Sequence, residues 1–170
     1  MRLRRFQYHE VDRVDEVLAL VQRYGEDLRG FYETALELGE VLVEVEVPAQ
    51  VGAGRYIKFS PRSMEDRALV GLAVLADGDA AGGRCRELRL GLGGVNPTPV
   101  RSAKAEQLAR GQVLSEALIR EVASAAAAEV DPIADVQGSA EYRREMVQVW
   151  VRRALEELRA RPAEHREGVR

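Results

Sequence analysis

The spacing of apolar and polar positions divides the chain into a helical start, a middle with strand patterns and a helical last third. A helix is predicted over residues 12–24, with Asp12 as its N-cap and Gly25 directly after its last turn. One face of this helix carries an apolar stripe made of Val14, Val17, Leu18 and Val21. The stripe predicts that the helix packs against another surface.

The middle of the chain predicts an antiparallel sheet of about three to four strands. Residues 41–47 alternate strictly, with the valines on one face, and residues 55–59 form a second short strand. Residues 68–76 are apolar throughout, which fits a central strand but also a buried helix. After a glycine-containing hairpin loop, residues 85–92 return as a strand with its leucines inward and Glu87 and Arg89 outward.

The last third predicts three helices that cover this sheet, so the predicted fold class is α+β with an additional N-terminal helix. The expected starts are Thr98 with Pro99, Ser115 and Ser139, and the expected ends are Gly111, Asp131 with Pro132, and Pro162. The third helix has a long apolar stripe, which predicts a core that includes Trp150. Residues 162–170 form a polar tail.

Composition narrows the possible functions. The chain has 170 residues, 46% of them apolar, which predicts one domain with a hydrophobic core. Its net charge of -3 predicts no positive electrostatic field that would attract nucleic acid. One cysteine and two distant histidines predict neither a disulfide nor a metal site. No apolar run approaches the ~20 residues of a membrane span, and we expect a cytoplasmic protein that does not bind membranes.

Five groups of residues could carry chemistry, and each also has a structural explanation. The segment from Gly91 to Asn96 is glycine-rich, but Asn96 and Pro97 stand where a dinucleotide loop needs a glycine and a helix start, which favours a closely packed strand end. Lys58 with Arg55 and Arg62 could hold an anion, or could be a solvated strand and turn.

Helix positions and sequence neighbours explain the remaining charged groups and the thiol. Helix ends account for the acidic residues Asp131, Asp135, Glu141 and Glu145. Cys85 has no neighbouring histidine and is predicted to be an inert buried thiol. The arginines of the last helix, Arg143 among them, alternate with glutamates and predict an exposed salt-bridged face. We therefore expect no catalytic residues and no metal ligands.

Three stretches in this order resemble a known domain. They are RYIKFSPRS at residues 55–63, LGLGGV at 90–95 with TPVR at 98–101, and DVQGSAEYRR at 135–144. The chain resembles the C-terminal domain of the FAD-carrying medium subunit of molybdenum hydroxylases, the family of aerobic carbon monoxide dehydrogenase and xanthine dehydrogenase. The resemblance covers residues 31 to about 158, and we expect this domain over residues 31–161.

The first 29 residues resemble the extreme N-terminus of the same subunit, so residues 1–30 are expected to be the remnant of a FAD-binding domain. In the family a glycine-rich AGGTD segment and a second glycine-rich loop follow, and their backbone N–H groups hold the FAD pyrophosphate. Here Arg29 runs directly into Gly30, and both loops are absent. The resemblance assigns flavin contacts only to Leu42 and Lys58, which predicts that this chain binds no FAD alone.

The resemblance implies a role in electron transfer. In the family, electrons pass from iron–sulfur clusters through FAD to an acceptor, and the partners are a molybdopterin-binding large subunit and an iron–sulfur small subunit. The chain is therefore expected to be a truncated flavoprotein subunit that keeps its docking domain. Its N-terminal helix lacks the FAD-domain strands that it packs on in the family, so its stripe is expected to dock on the sheet or to form a homodimer. The alternative is a free-standing structural or assembly module without a redox role.

Overall fold

A computed structural model of the chain describes residues 28–30, 33–34, 52–61, 67–78 and 84–160. The strands are β1 (Leu28–Gly30), β2 (Glu33–Thr34), β3 (Ala53–Phe59), β4 (Val70–Gly78), β5 (Cys85–Gly93) and β6 (Val100–Arg101). The helices are α1 (Ala103–Ala109), α2 (Glu116–Ala128) and α3 (Ala140–Ala160). The helix predicted at 12–24, the strand at 41–47 and the tail at 162–170 lie outside the described residues.

The strands β3, β4, β5 and β6 form one antiparallel sheet in that order, while β1 and β2 pair separately. This confirms the predicted antiparallel sheet, and the apolar run at 68–76 proves to be a strand, β4, between β3 and β5. Both faces of β4 are buried: Leu72 and Val74 point to the helices, and Ala73 and Leu75 are buried on the opposite face. A strand buried on both faces has no polar alternation, which explains why its pattern resembled that of a helix.

The three helices cover one face of the sheet, which confirms the predicted α+β class. The core between the two layers is built mainly from leucine and valine of β4 and β5 and from aliphatic residues of α2 and α3. Its members include Leu72, Val74, Leu88, Leu90, Leu92, Ile119, Val122, Val147, Val151 and Leu155. The inward leucines of β5 are those that the alternation at 85–92 predicted.

Two of the three predicted helix starts are confirmed by their capping hydrogen bonds. The Ser115 hydroxyl accepts the N–H of Leu118 at 3.2 Å at the start of α2. The Ser139 hydroxyl accepts the N–H of Tyr142 at 3.1 Å at the start of α3. Both caps act on the third residue that follows, so they are local and can be predicted from the sequence.

The predicted start of the first covering helix at Thr98 and Pro99 is wrong. Val100 and Arg101 instead pair with β5 as β6, and α1 begins after Ser102, whose N–H donates to the Leu90 carbonyl at 3.0 Å. The Glu129 carboxylate accepts the Ser102 hydroxyl at 2.5 Å and the Lys104 N–H at 3.2 Å, so a distant side chain satisfies the helix N-terminus. Gly111, with φ +72°, follows the helix as predicted.

Trp150 is half-buried, whereas its stripe predicted a core position. Its ring packs on Phe59 of β3 with ring centroids 5.3 Å apart, and the Arg153 guanidinium carbon lies 5.0 Å from the ring centroid. Because α3 extends over β3, the outer strand of the described sheet, this side chain lies at the margin of the core. The members of the stripe that face β4, such as Val151 and Leu155, are fully buried.

Candidate functional site

Part of the sheet face that points away from the helices has small residues on β4 and β5, while Leu75 of β4 lies farther along the same face. The strand register places two rows of three residues on this face: Tyr56, Ala73 and Gly91, and Lys58, Gly71 and Gly93. The β3 member of each row is large, and the β4 and β5 members are alanine or glycine. We call these six residues the small-residue face, a shallow floor bordered on one side by a phenol and an ammonium group.

Gly93 shows that the fold alone does not require all of these glycines. It does not have a left-handed φ, and a Cβ added to it would meet nothing within 4 Å. A glycine inside a strand costs stability and often marks a place where a ligand or another backbone approaches closely. The open space above Gly93 is therefore the feature of this face that points to a binding role.

Tyr56 and Lys58 both lie at this border and are exposed. A Cβ on Gly71 would lie 3.4 Å from the Tyr56 hydroxyl oxygen, so the tyrosine side chain extends along the sheet over Gly71, towards the row of Lys58. Tyr56 keeps 44% of its surface exposed. Gly71, Ala73 and Gly91 are buried, so the accessible part of this face is its β3 border, where one hydroxyl and one cation lie, together with the open space over Gly93. This arrangement suits contact with a ligand better than it suits bond-breaking chemistry.

The opposite border of the same face carries arginines that are paired with carboxylates. Arg101 donates to both carboxylate oxygens of Glu106, at 3.0 and 2.5 Å, and Arg89 donates to Glu87 at 3.0 Å. The hydrogen bond from Arg89 holds the pKa of Glu87 below its ordinary value, with further help from the charges of Arg89, Arg110 and Arg101. The Arg101–Glu106 pair joins β6 to α1, and Glu106 also accepts the N–H of Leu90 in β5 at 2.9 Å, whereas the Arg89–Glu87 pair lies within β5.

The structure separates the cations that the sequence grouped around Lys58. Arg55 is opposite Val74 in the register, on the helix-covered face, and its guanidinium binds the Glu157 carboxylate at 2.8 Å. Arg62 and Leu42, the second residue with a predicted flavin contact, lie outside the described residues. Of the predicted binding residues, the structure places Lys58 alone on the small-residue face.

The glycine-rich segment from Gly91 to Asn96 ends a strand, and its backbone packs closely at Gly94, as predicted. Gly94 has φ +75°, and a Cβ there would lie 2.8 Å from the Ala68 carbonyl oxygen and 3.3 Å from that of Leu69. The Asn96 side-chain oxygen accepts the N–H of Asp131 at 3.1 Å. The segment joins the sheet to the loop before α3 and does not form a phosphate loop.

Arg143 is buried, which contradicts its predicted place on an exposed salt-bridged helix face. Only 4% of this residue is exposed. One of its terminal nitrogens donates to the carbonyls of Leu69 and Gly94, both at 3.0 Å, and the other to the Asp135 carboxylate at 2.6 Å. The spacing contained a signal, because Arg143 precedes the core residue Val147 by four positions and so shares its helix face.

Asp135 closes a tight turn before α3. Its carboxylate accepts the N–H groups of Gln137 at 2.8 Å and Gly138 at 3.2 Å, and the hydrogen bond from Arg143 holds the pKa of this carboxyl below its ordinary value of 3.8. The other acids of this region, Asp131, Glu141 and Glu145, are exposed. Within the described parts of the chain, no group of three or more such side chains could hold a metal ion.

Cys85 is an inert buried thiol, as predicted. Only 1% of the residue is exposed, and its thiol donates to the Glu87 carbonyl at 3.3 Å. Burial, together with the charges of Asp77 and Glu87, raises the pKa of this thiol to about 11. At neutral pH the group is therefore protonated and a weak nucleophile.

Comparison with known proteins gives consistent matches. The sequence model of the family described as CO dehydrogenase flavoprotein C-terminal domain matches residues 55–158. The carbon monoxide dehydrogenase medium chain of Afipia carboxidovorans is 33% identical over 134 residues, which are 78% of this chain and 46% of that protein. The glyceraldehyde dehydrogenase medium chain of Sulfolobus acidocaldarius is 30% identical over 130 residues, with 76% and 46% covered.

Solved structures agree with these sequence matches. Quinoline 2-oxidoreductase from Pseudomonas putida aligns with a TM-score of 0.73 at 29% identity, over 79% of this chain and 46% of that one. The carbon monoxide dehydrogenase of Hydrogenophaga pseudoflava aligns with a TM-score of 0.70 at 33% identity, over 81% and 48%. The chain thus spans about half the length of the curated relatives it matches. No helix in the described part of the chain is long and apolar enough to span a membrane.

Proposed function

Because the chain belongs to the family of carbon monoxide dehydrogenase flavoprotein C-terminal domains, we propose that it serves as the medium-subunit component of a molybdenum-hydroxylase-type oxidoreductase. The family role is electron transfer from iron–sulfur clusters through FAD. The names of the relatives support the proposal, since they are medium chains or FAD-binding subunits of dehydrogenases. In this proposal the chain works in the cytoplasm.

We further propose that the chain keeps the docking domain, over residues 31–161, and does not bind FAD alone. Residues 1–30 would then be the remnant of a FAD-binding domain and residues 162–170 a polar tail. The observation that carries this proposal is the direct passage from Arg29 to Gly30, without either glycine-rich loop. Those loops provide backbone N–H groups for a pyrophosphate, and the small-residue face offers no equivalent row of donors.

Lys58 and Leu42 are the proposed remaining contacts to a flavin. The position of Lys58 supports its part, since the strand register places it on the same face as Tyr56 and in one row with Gly71 and Gly93. A planar ring could lie against this face with its polar edge towards the lysine. One cation and one apolar side chain supply too few contacts to retain a dinucleotide, because affinity requires many placed groups.

The proposed partners are the molybdopterin-binding large subunit and the iron–sulfur small subunit. The proposal includes pairing with a second copy through the N-terminal stripe, and it includes neither nucleic acid nor membranes as partners. The second candidate function, a free-standing assembly module without a redox role, makes the same prediction for isolated flavin binding. Assembly with the two subunits distinguishes the two functions.

The test of the flavin proposal is direct. The purified chain is incubated with excess FAD, freed of unbound ligand, and its visible absorbance is recorded. We expect no stoichiometric flavin, while a complete medium chain such as that of Afipia carboxidovorans, treated in the same way, serves as the control. A flavin band at one equivalent per chain would refute the proposal. Co-purification of the chain with the large and small subunits from the same organism then tests its place in the complex.

A further inference from the structure

The outer edge of β3, the side of the strand that faces away from β4, has no partner strand among the described residues. In the sheet order β3 stands at one end and pairs with β4 alone. The strand is seven residues long and contains no proline, so its outer edge offers an uninterrupted row of backbone donors and acceptors. Folded proteins protect such edges, because an uncovered edge pairs with other chains.

The hydrophobic core ends beside this edge with side chains that are only partly buried. They are Ile57 and Phe59 of β3 and Met146 and Trp150 of α3, all of which pack against the core. Phe59 and Trp150 contact each other with ring centroids 5.3 Å apart, so α3 extends as far as the last described strand. Another row of apolar side chains, added beyond β3 on the helix-covered side of the sheet, would continue this core.

Residues 41–47 have the pattern that this edge requires. Their odd positions are all valine, and their even positions are leucine or glutamate. Only residues 48–52 separate this segment from β3, a length typical of a hairpin loop and too short for a parallel crossover. Gly52, directly before β3, has φ +136°, a turn conformation that favours glycine. The connection therefore brings residues 41–47 back alongside β3 in the antiparallel direction.

The faces of the two strands then match in one way. Side chains that stand opposite each other in an antiparallel pair point to the same face of the sheet. With the valines on the core side next to Ile57, the leucine and the glutamates lie on the opposite face with Tyr56 and Lys58. If Val47 is opposite Ala53, Glu44 is opposite Tyr56. The next register that keeps the valines on the core side places Glu44 opposite Lys58, and in both registers the carboxylate is within reach of the lysine.

We propose that residues 41–47 pair with the outer edge of β3 as an additional antiparallel strand of the same chain. The valines extend the core beneath α3, while Leu42 and Glu44 join Tyr56 and Lys58 at the β3 border of the small-residue face. Lys58 thereby has a carboxylate partner, which a ligand at this border would have to replace. The strand pairing does not depend on the proposed function, whereas joint contact of Leu42 and Lys58 with one flavin rests on it.

Disulfide trapping in the purified full chain tests the pairing. Glu44→Cys is combined with Tyr56→Cys in one variant and with Lys58→Cys in another, so both registers are covered. We expect one of the two variants to form an intramolecular disulfide in most chains under mild oxidation, because opposite Cβ atoms are about 4.5–5.5 Å apart. Mass spectrometry of the digested protein identifies the bond. The matched control is Val43→Cys with Tyr56→Cys, which places the two thiols on opposite faces and should form no disulfide.

Charge reversal tests the contact between Glu44 and Lys58 without a covalent bond. Glu44→Lys should lower the urea midpoint, because it places like charges side by side, and adding Lys58→Glu should restore the midpoint. The control is Glu121→Lys, at an exposed position of α2 in the layer that covers the other sheet face. Rescue of Glu44→Lys alone supports the contact, and equal behaviour of both variants contradicts it.

The outcomes of the trapping experiment separate the occupants of the edge. If neither cysteine pair closes within one chain, residues 41–47 do not pair with β3 and the inference is wrong, while the proposed function stands or falls by its own tests of flavin binding and assembly. A disulfide that joins two chains would assign the edge to a second copy and would also overturn the inference. Far-ultraviolet circular dichroism of the reduced variants verifies that the fold is intact.

Discussion

Arg143 joins parts of the molecule that are far apart in sequence. Its guanidinium binds the carbonyls of Leu69, before β4, and Gly94, after β5, as well as the Asp135 side chain. Leu69 directly precedes β4 and Gly94 directly follows β5, so both carbonyls lie at strand ends. A single side chain therefore ties two strand ends and the turn before α3 to the same point.

We predict that Arg143→Met destabilises the domain by about 2–4 kcal/mol, because it leaves two inner carbonyls without a donor and breaks the pair with Asp135. Urea unfolding measures the change. The matched control is Arg144→Met on the same turn of α3, whose side chain is more exposed and makes one long hydrogen bond of 3.5 Å. Equal losses for the two variants would mean that the buried guanidinium is not a structural anchor.

Asp135 predicts a pH dependence whose sign follows from its depressed pKa. Because Arg143 holds the folded-state pKa below the ordinary 3.8, the carboxylate stabilises the fold fully above that value, and the contribution is lost as pH falls through the lower folded-state pKa. Asp135→Asn should therefore be less stable than the unmodified domain at neutral pH, and the gap should narrow in acid. Urea midpoints at neutral and acidic pH test this. When both proteins also carry Arg143→Met, the stability difference caused by Asp135→Asn should depend less on pH. If that pH dependence is unchanged, it does not come from the pair of Asp135 with Arg143.

For single residues, the sequence predicts well those interactions that are made with close neighbours in the chain. The sequence predicts Ser115 and Ser139 as caps because a capping hydroxyl and the N–H group that donates to it are only three positions apart. The buried thiol of Cys85 followed from its place at the start of a strand without a neighbouring histidine. Arg143 was missed because charge patterns describe which residues can pair on a helix surface, whereas its three acceptors come from distant segments that only the fold brings together.

At the scale of elements, hydrophobic periodicity predicts β3, β5 and the two long helices correctly. It fails where contacts with distant parts of the chain determine the secondary structure. The chain from Thr98 to Arg101 has the start signal of a helix, yet Val100 and Arg101 extend the sheet beside β5. The cap of α1 is completed by Glu129, at the end of α2. No window around Thr98 contains that glutamate, so the start of α1 could not be predicted from local sequence.

Substitution of Trp150 measures how much the packing of α3 on β3 stabilises the domain. Because the ring is half-buried on Phe59, Trp150→Ala should cost about 2 kcal/mol, below the roughly 3–5 kcal/mol of a fully buried tryptophan. Thermal or urea unfolding measures the loss, and Trp150→Phe, which keeps a ring against Phe59, should recover most of it. A midpoint unaffected by Trp150→Ala would show that this end of α3 does not pack on β3.

At the scale of the whole molecule, the sequence predicts a layer of helices on a sheet, because the alternation of apolar and polar residues determines which faces of the elements must be buried together. The small-residue face was not found, although its residues were all visible in the sequence. Gly71, Gly91 and Gly93 lie on two different strands, and only the register of β4 with β5 shows that they share a face with Lys58. A surface formed by glycine and alanine leaves no motif in a sequence, because its members carry no functional groups and lie on different strands.

Insertion of the two missing glycine-rich loops tests the proposed flavin contact of Lys58. A FAD-binding segment from a homologous medium subunit, inserted after Arg29, should confer flavin binding, because it would return both glycine-rich loops next to the small-residue face. Lys58→Ala in this chimera should then weaken flavin retention about tenfold or more, as expected for a lost charge contact of roughly 1–3 kcal/mol in a partly dry site.

The control for Lys58→Ala is Lys104→Ala, which removes the only other lysine of the chain, an exposed residue of α1. Absorbance after dialysis gives the retained flavin, and stopped-flow reduction reports the electronic effect of the lysine. Because Gly93 leaves open space over the same face, Gly93→Leu should also impair binding without unfolding the sheet. A chimera that retains flavin equally well with Lys58→Ala and Gly93→Leu would place the flavin away from this face, and the assignment of Lys58 as its contact would be wrong.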